Sequence, residues 1–248
     1  MRFLTFIFAI FFFSNLHAQL GQSLVTHISF DKSGCDIEDQ AGDPAIQIFA
    51  AGDSVCGCGV VANSRYFDGD DDWFYLFGQR VEEAFTTIDF SLSFYFKPTS
   101  TSAANQALFS KKVGCNGDQA FAVRYNPANR SMNVEVSESP TISASISRTL
   151  PISCWYHVVV VRKGATTQLY VNNQKLGEVN SPGSLRVNMS NSEPLTVGSS
   201  DCNFEQDFQG YLDEIRLYSR ALSLQDIEDL YLSPDQIVES IALAQAGI

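Results

Sequence analysis

An all-β fold of two packed antiparallel sheets is what the sequence predicts, on three observations. Short runs of β-branched and aromatic residues recur along the chain between Gly, Pro, Asn and Asp clusters that read as turns. Several runs alternate apolar and polar residues with period two, as a strand with one face in a core does. The chain is also long enough for one large sandwich with a substantial core.

The first 18 residues read as a secretory signal peptide. Arg2 precedes an apolar run from Phe3 to Phe13, and Leu16-His17-Ala18 offers a small residue for cleavage before Gln19. The run is too short to span a bilayer comfortably, and no second long apolar run follows, so the chain is expected to be secreted and not membrane-spanning. Removing Arg2 from the 16 Lys and Arg leaves 15 against 28 Asp and Glu, a net charge of −13. That balance argues against nucleic acid and suits calcium, neutral glycans or basic protein patches.

Strands are expected in order. Residues 24–31 form the first, and 32–59 read as a long Gly-rich loop. Arg65 to Trp73 holds a strand and an acidic turn, with Asp68-Gly69 as the turn signal. Phe90, Leu92, Phe94 and Phe96 share the core face of a strand that Pro98 ends. Further strands are expected at 107–111, 120–125, 131–136, 155–162, 167–171 and 194–198. Val158 to Val161 is apolar on both faces, so its strand should be interior. Asn172-Asn173 should turn a hairpin. Residues 211–218 are the last strand, with Tyr211, Asp213, Ile215 and Leu217 on one face. Ser223 and Asp226 then form a helix cap, with Leu224, Ile227, Leu230 and Tyr231 at helical spacing. The domain is expected to span residues 19–232. The apolar tail, 233–248, has Ile237, Ile241 and Ala244 on one helical face and is expected to dock on a partner protein.

Gly-x-Leu-Asp-Glu-Ile-Arg-Leu-Tyr-x-Arg-Ala-Leu-Ser, residues 210–223, resembles the closing strand and turn of LamG-like domains, which share the concanavalin A-like jelly-roll fold. Phe30-Asp31-Lys32-Ser33-Gly34 with Asp39-Gln40-Ala41-Gly42, the Tyr66-Phe67-Asp68-Gly69 strand end, Trp155-Tyr156-His157 and Leu169-Tyr170-Val171-Asn172 resemble that family in order and spacing. The resemblance covers about residues 24–232 and implies a two-sheet antiparallel jelly-roll sandwich with a short C-terminal helix. It also implies that first and last strands lie side by side.

Cys35, Cys56, Cys58, Cys115, Cys154 and Cys202 make an even set behind a signal peptide, so three disulfides are expected. The resemblance suggests that Cys115 pairs with Cys202. Cys35 should pair with Cys56 or Cys58, and Cys154 with the cysteine that remains.

Asp213 is a carboxylate in an apolar strand, and a buried charge requires a partner. The family resemblance places a structural calcium between the first and last strands, so Asp31 and Asp213 are the expected metal ligands, completed by backbone carbonyls. The alternative is that loop amides satisfy Asp213 without a metal. Asp70-Asp71-Asp72 is a second acidic candidate. No enzyme is expected. The paired-carboxylate strand motif of jelly-roll glycosidases is absent, Glu135 and Glu138 fall on opposite strand faces, and His27 and His157 read as packing residues. A glycan platform could come from Trp73, Phe74 and Tyr75, or from Tyr125 and Tyr170, although a sandwich tryptophan such as Trp73 or Trp155 is usually core. The expected function is a non-catalytic binding module. It would be an accessory subunit of an extracytoplasmic or outer-membrane assembly, with a soluble carbohydrate-binding protein as the alternative. An exposed aromatic cluster on a sheet would favour the glycan.

Overall fold

The structure, a computed structural model, describes residues 23–235. The signal peptide and the apolar stretch 236–248 of the tail lie outside the described residues. In chain order the strands are β1 (Leu24–Ile28), β2 (Gln47–Ala51), β3 (Val55–Cys58), β4 (Asn63–Asp68), β5 (Trp73–Phe77), β6 (Phe90–Pro98), β7 (Gln106–Lys111) and β8 (Ala120–Asn126). They continue with β9 (Ser131–Ser139), β10 (Ile142–Thr149), β11 (Tyr156–Lys163), β12 (Thr166–Val171), β13 (Gln174–Asn180), β14 (Leu195–Val197), β15 (Gln206–Asp207) and β16 (Gln209–Tyr218). Helix α1 (Gln79–Ala84) follows β5 and α2 (Leu224–Leu232) follows β16.

Two sheets form, as expected. The first runs β13-β12-β11-β6-β16-β4-β3, with β1 paired to β16, and the second runs β10-β9-β8-β7-β14-β5-β2, with β15 alongside β7. First and last strands are antiparallel neighbours, with Ile28 opposite Ile215. β11 is interior, between β12 and β6. Asn172 and Asn173 both adopt the left-handed conformation that the β12–β13 hairpin turn needs. Between the sheets lies a phenylalanine-rich core that includes Phe67, Phe74, Phe90, Phe94, Phe96, Phe109 and Phe121. Full burial contributes roughly 1.5–3 kcal/mol for each such side chain.

The structure corrects several expectations. The stretch read as a loop, 32–59, holds β2 and β3. Both are sheet-edge strands without a clean alternating pattern, so periodicity could not show them. In β16 the alternation from Tyr211 to Leu217 breaks at a bulge, where the register shifts between Asp213 and Arg216 and Glu214 has a positive φ of 52°. Leu212, Ile215 and Leu217 enter the core, so Asp213 does not share a face with Ile215.

Helix α2 packs on the outer face of the first sheet. Leu222, Ile227 and Leu230 cover Val159, Val161, Tyr170 and Tyr218. Its start carries the expected capping box of Ser223 and Asp226, a device that contributes about 1 kcal/mol. At its end the Tyr95 hydroxyl donates to the carbonyls of Leu230 (3.0 Å) and Tyr231 (3.2 Å), acceptors the helix itself leaves open.

Two of the three expected disulfides form, Cys35–Cys56 and Cys115–Cys202, while Cys58 and Cys154 carry exposed free thiols. Sheet register explains the missing bridge. Tyr156 pairs with Phe96, Phe96 with Leu212, Leu212 with Arg65 and Arg65 with Cys56. These four strand spacings separate the two regions by about 19 Å, whereas a disulfide needs Cα atoms within about 7 Å. The denatured, unreduced protein is therefore expected to take up two maleimide labels per chain, at Cys58 and Cys154. Peptide mapping that finds both blocked would refute this pairing.

Candidate functional site

Two places on the sandwich carry chemistry. The first is the β3–β4 turn. Asp213 on β16 is fully buried, and its Oδ2 accepts from the amides of Val60 (2.7 Å) and Val61 (3.3 Å). Asp31, just beyond β1, holds the same turn from the other side, its Oδ1 accepting from the Asn63 amide at 3.1 Å. The turn thus brings both expected carboxylates to one corner. Burial first, then the neighbouring Glu214 carboxylate and Asp31, pushes the Asp213 carboxyl up to about 8 against the pull of the two amides. Its Oδ1 is buried with no hydrogen-bond partner.

Gly59 lies in this corner, where only a residue without a side chain fits. A Cβ built on Gly59 would lie 2.5 Å from each of three oxygens, the carbonyls of Asn63 and Val61 and Oδ2 of Asp213. Three hard oxygens, the atom type calcium takes, thus line the same corner as the unpartnered Oδ1 of Asp213. The donor set fits calcium, with Asp213 as the carboxylate ligand and Asp31 positioning Asn63 through its amide. The acidic turn behaves differently from the Asp70-Asp71-Asp72 reading. Carboxylates of Asp68, Asp71 and Asp72 lie within 4.8 Å of one another, and the Asp70 amide donates to Asp68.

The second place is the outer face of the second sheet. One register row crosses it: Phe49, Tyr75, Thr196, Ser110, Ala122, Glu135 and Ser145. Because Phe74 and Leu76 of β5 point into the core, Trp73 and Tyr75 point outward. The Trp73 ring stacks on Tyr75 at 5.7 Å and 12°, and Phe49, 52 % exposed, also stacks on Tyr75, at 5.1 Å. Thr196, Ser110 and Ala122 are small, so the middle of the row is a trough beside this aromatic wall. A cleft of about 290 Å³ lies there between Trp73, Tyr75, Thr196 and Lys112. A second of about 600 Å³ adjoins it through Lys112 and runs past Arg124, Asn133, Glu135 and Phe204.

Charged groups in the clefts are paired within the protein. Arg124 Nε donates to Glu205 at 2.5 Å and its Nη1 to Glu135 at 2.7 Å and Asn133 at 3.1 Å, while Lys112 donates to both oxygens of Glu205 at 3.0 Å. Burial alone would raise the Glu205 carboxyl, but the Ser200 hydroxyl, Arg124 and Lys112 hold it below its ordinary range. The Cys115–Cys202 bridge ties the two loops that carry these groups together.

Of the platform candidates, Trp73 and Tyr75 are at the surface, whereas Phe74, Tyr125 and Tyr170 are buried. The core expectation for tryptophan fails twice, since Trp73 and Trp155 are both half-buried on outer faces. Phe49 and Phe204 escaped sequence reasoning, because nothing local distinguishes an outward phenylalanine from a core one. His27 and His157 are buried as expected. His157 Nε2 meets Ser93 Oγ at 2.9 Å with its ring between Tyr95 and Tyr231, and no group engages its Nδ1. Among the described residues no helix is long and apolar enough to cross a membrane.

Comparison with known proteins bears on this arrangement. The sequence model of the concanavalin A-like lectin/glucanases superfamily matches residues 68–228. The adhesion G-protein coupled receptor V1 of Danio rerio is 25% identical over 157 residues, which are 59% of this chain and 2% of the receptor. Among solved structures, the binding domain of Paraclostridial Mosquitocidal Protein 1 superposes with a TM-score of 0.70 at 17% identity, over 87% of this chain and 53% of that one. Botulinum neurotoxin type C, whose path into cells depends on interaction with two ganglioside molecules, gives 0.67 at 14% identity, over 87% and 52%. The botulinum neurotoxin DC binding domain, in complex with rat synaptotagmin II, gives 0.68 at 14%, over 86% and 52%. The chain thus spans about half the length of these structures, and at such identities the likeness is one of fold.

Proposed function

Because this chain belongs to the concanavalin A-like lectin/glucanases superfamily, we propose that it is a secreted, non-catalytic module that binds carbohydrate on the outer face of its second sheet. The observation that carries this reading is the outward stack of Trp73, Tyr75 and Phe49 beside a trough of small polar residues. Sugar rings present apolar C–H faces that pack on aromatic rings and hydroxyls that need hydrogen-bond partners, and this surface offers both. Two disulfides suit an oxidising, extracytoplasmic setting. The gangliosides of the neurotoxin relative support the glycan reading by analogy of fold alone. The chain has two tryptophans, so Trp155→Phe leaves Trp73 as the single reporter. Titrating that variant with soluble polysaccharides should quench and shift Trp73 emission saturably. A panel of plant, algal and animal glycans that leaves the emission unmoved would sink the reading.

An accessory role on a protein partner has its own observation. Val55, Tyr66, Tyr211, Lys97 and Trp155 form an outward row across the first sheet, with Lys97 Nζ 4.2 Å from the Tyr211 ring centre and 5.1 Å from that of Trp155. Its aromatic residues suit a protein contact. We also propose that the oxygen cradle at Gly59 holds a structural calcium, with Asp213 as its carboxylate ligand.

A further inference from the structure

We infer that the adjoining clefts on the second sheet take an uncharged, extended glycan chain, gripped by Trp73 in the smaller cleft and Phe204 in the larger. The inference rests on the carbohydrate reading and adds the class of ligand and a second contact residue.

Length comes from the sheet. From Tyr75 through Thr196, Ser110 and Ala122 to Glu135 the register row crosses four strand spacings, about 19 Å. The two clefts adjoin at Lys112, so together they line this row. A single sugar would occupy a fraction of that row. In the larger cleft Phe204 is 62 % exposed and has the Lys112 ammonium 5.8 Å from its ring centre. Its loop is held by the adjacent Cys115–Cys202 bridge and by the buried Glu205 next to it, so the exposed ring stands on a fixed support.

Charge comes from the pairing. The cations on the walls are Lys112 and Arg124, and Glu205 and Glu135 already neutralise both at hydrogen-bond distance. Glu193 and Asp201 also line the aromatic end, leaving the clefts with more carboxylates than cations. A uronate or sulfate would have to break the Glu205 pairs or sit against like charge, both costly in a partly desolvated cleft. Hydroxyl groups face no such cost, since Asn133, Ser110 and Thr196 offer neutral donors and acceptors.

Native gel electrophoresis through embedded polysaccharide tests this. Neutral gels would hold xyloglucan, galactomannan or laminarin, and acidic gels alginate, polygalacturonate or chondroitin sulfate. The wild-type chain should be retarded in at least one neutral gel, with no loss at raised salt, and in no acidic gel. Phe204→Ala, a surface change, should cut that retardation about tenfold, as expected for losing an interface anchor, and a free monosaccharide should not compete. Retardation in an acidic gel that Trp73→Ala abolishes would overturn the uncharged class while leaving carbohydrate binding intact. Unchanged retardation of Phe204→Ala would overturn the grip by both clefts. A wild-type chain that no gel retards would overturn this inference and the carbohydrate reading together.

Discussion

Replacing Trp73 by alanine is expected to lower glycan affinity by ~10–100-fold, the loss that follows removal of an anchoring aromatic from an interface. The reason is positional. Trp73 is half-buried at the start of β5, with its ring parallel to Tyr75 and on the wall of the smaller cleft. Removing it deletes the largest apolar contact surface on that wall and frees Tyr75 to move. The fold should survive, because the core contacts of β5 come from Phe74 and Leu76 on the opposite face. Isothermal calorimetry against the polysaccharide found by gel retardation, with a thermal melt as control, reads both quantities. An affinity within twofold of wild type at an unchanged melt would show that the aromatic wall is not the binding surface.

Calcium at the Gly59 cradle should produce the second large effect. A ligand that binds only the folded state at a hundred times its dissociation constant adds about 2.7 kcal/mol, which for a domain of this size raises the melting temperature by roughly 5–10 °C. Chelator should reverse the shift. Gly59→Ala should remove it, since the added Cβ would come within 2.5 Å of the three oxygens and push them apart. Asp213→Asn, which keeps the shape and deletes the charge, should remove it too. The sign of the pH dependence follows from the same carboxyl. Without metal, its pKa is raised from 3.8 to about 8, so the folded state holds a proton the unfolded state has lost. That contribution is complete below the unfolded value and disappears as pH rises through 8, so the melt in chelator should fall over this range. With calcium bound the carboxylate is needed as the anion and the fall should vanish. A calcium response that persists in Gly59→Ala would place the ion elsewhere, with the Asp68, Asp71 and Asp72 turn next in line.

The sequence by itself determined the class of fold, the antiparallel sandwich, the Asn172-Asn173 hairpin, the capped helix α2 and the pairing of first and last strands. Each rests on short-range periodicity, local turn chemistry or a motif with fixed spacing. It also singled out Asp213, because a carboxylate inside an apolar strand is conspicuous in one dimension, and the family resemblance added Asp31. The alternation Ile142, Ala144, Ile146 was equally available as a sign of β10. Only tertiary structure decided the rest. The bulge at Asp213 and Glu214 reassigns strand faces, and no periodicity announces one extra residue. Register sets Cys58 and Cys154 apart across the first sheet, which an even cysteine count cannot reveal. Whether Trp73, Phe49 and Phe204 lie in the core or on the surface depends on which face of each segment the opposite sheet covers. That is a property of the packed layers, because burial is a relation between distant segments, and the same aromatic residue satisfies the local pattern in either place.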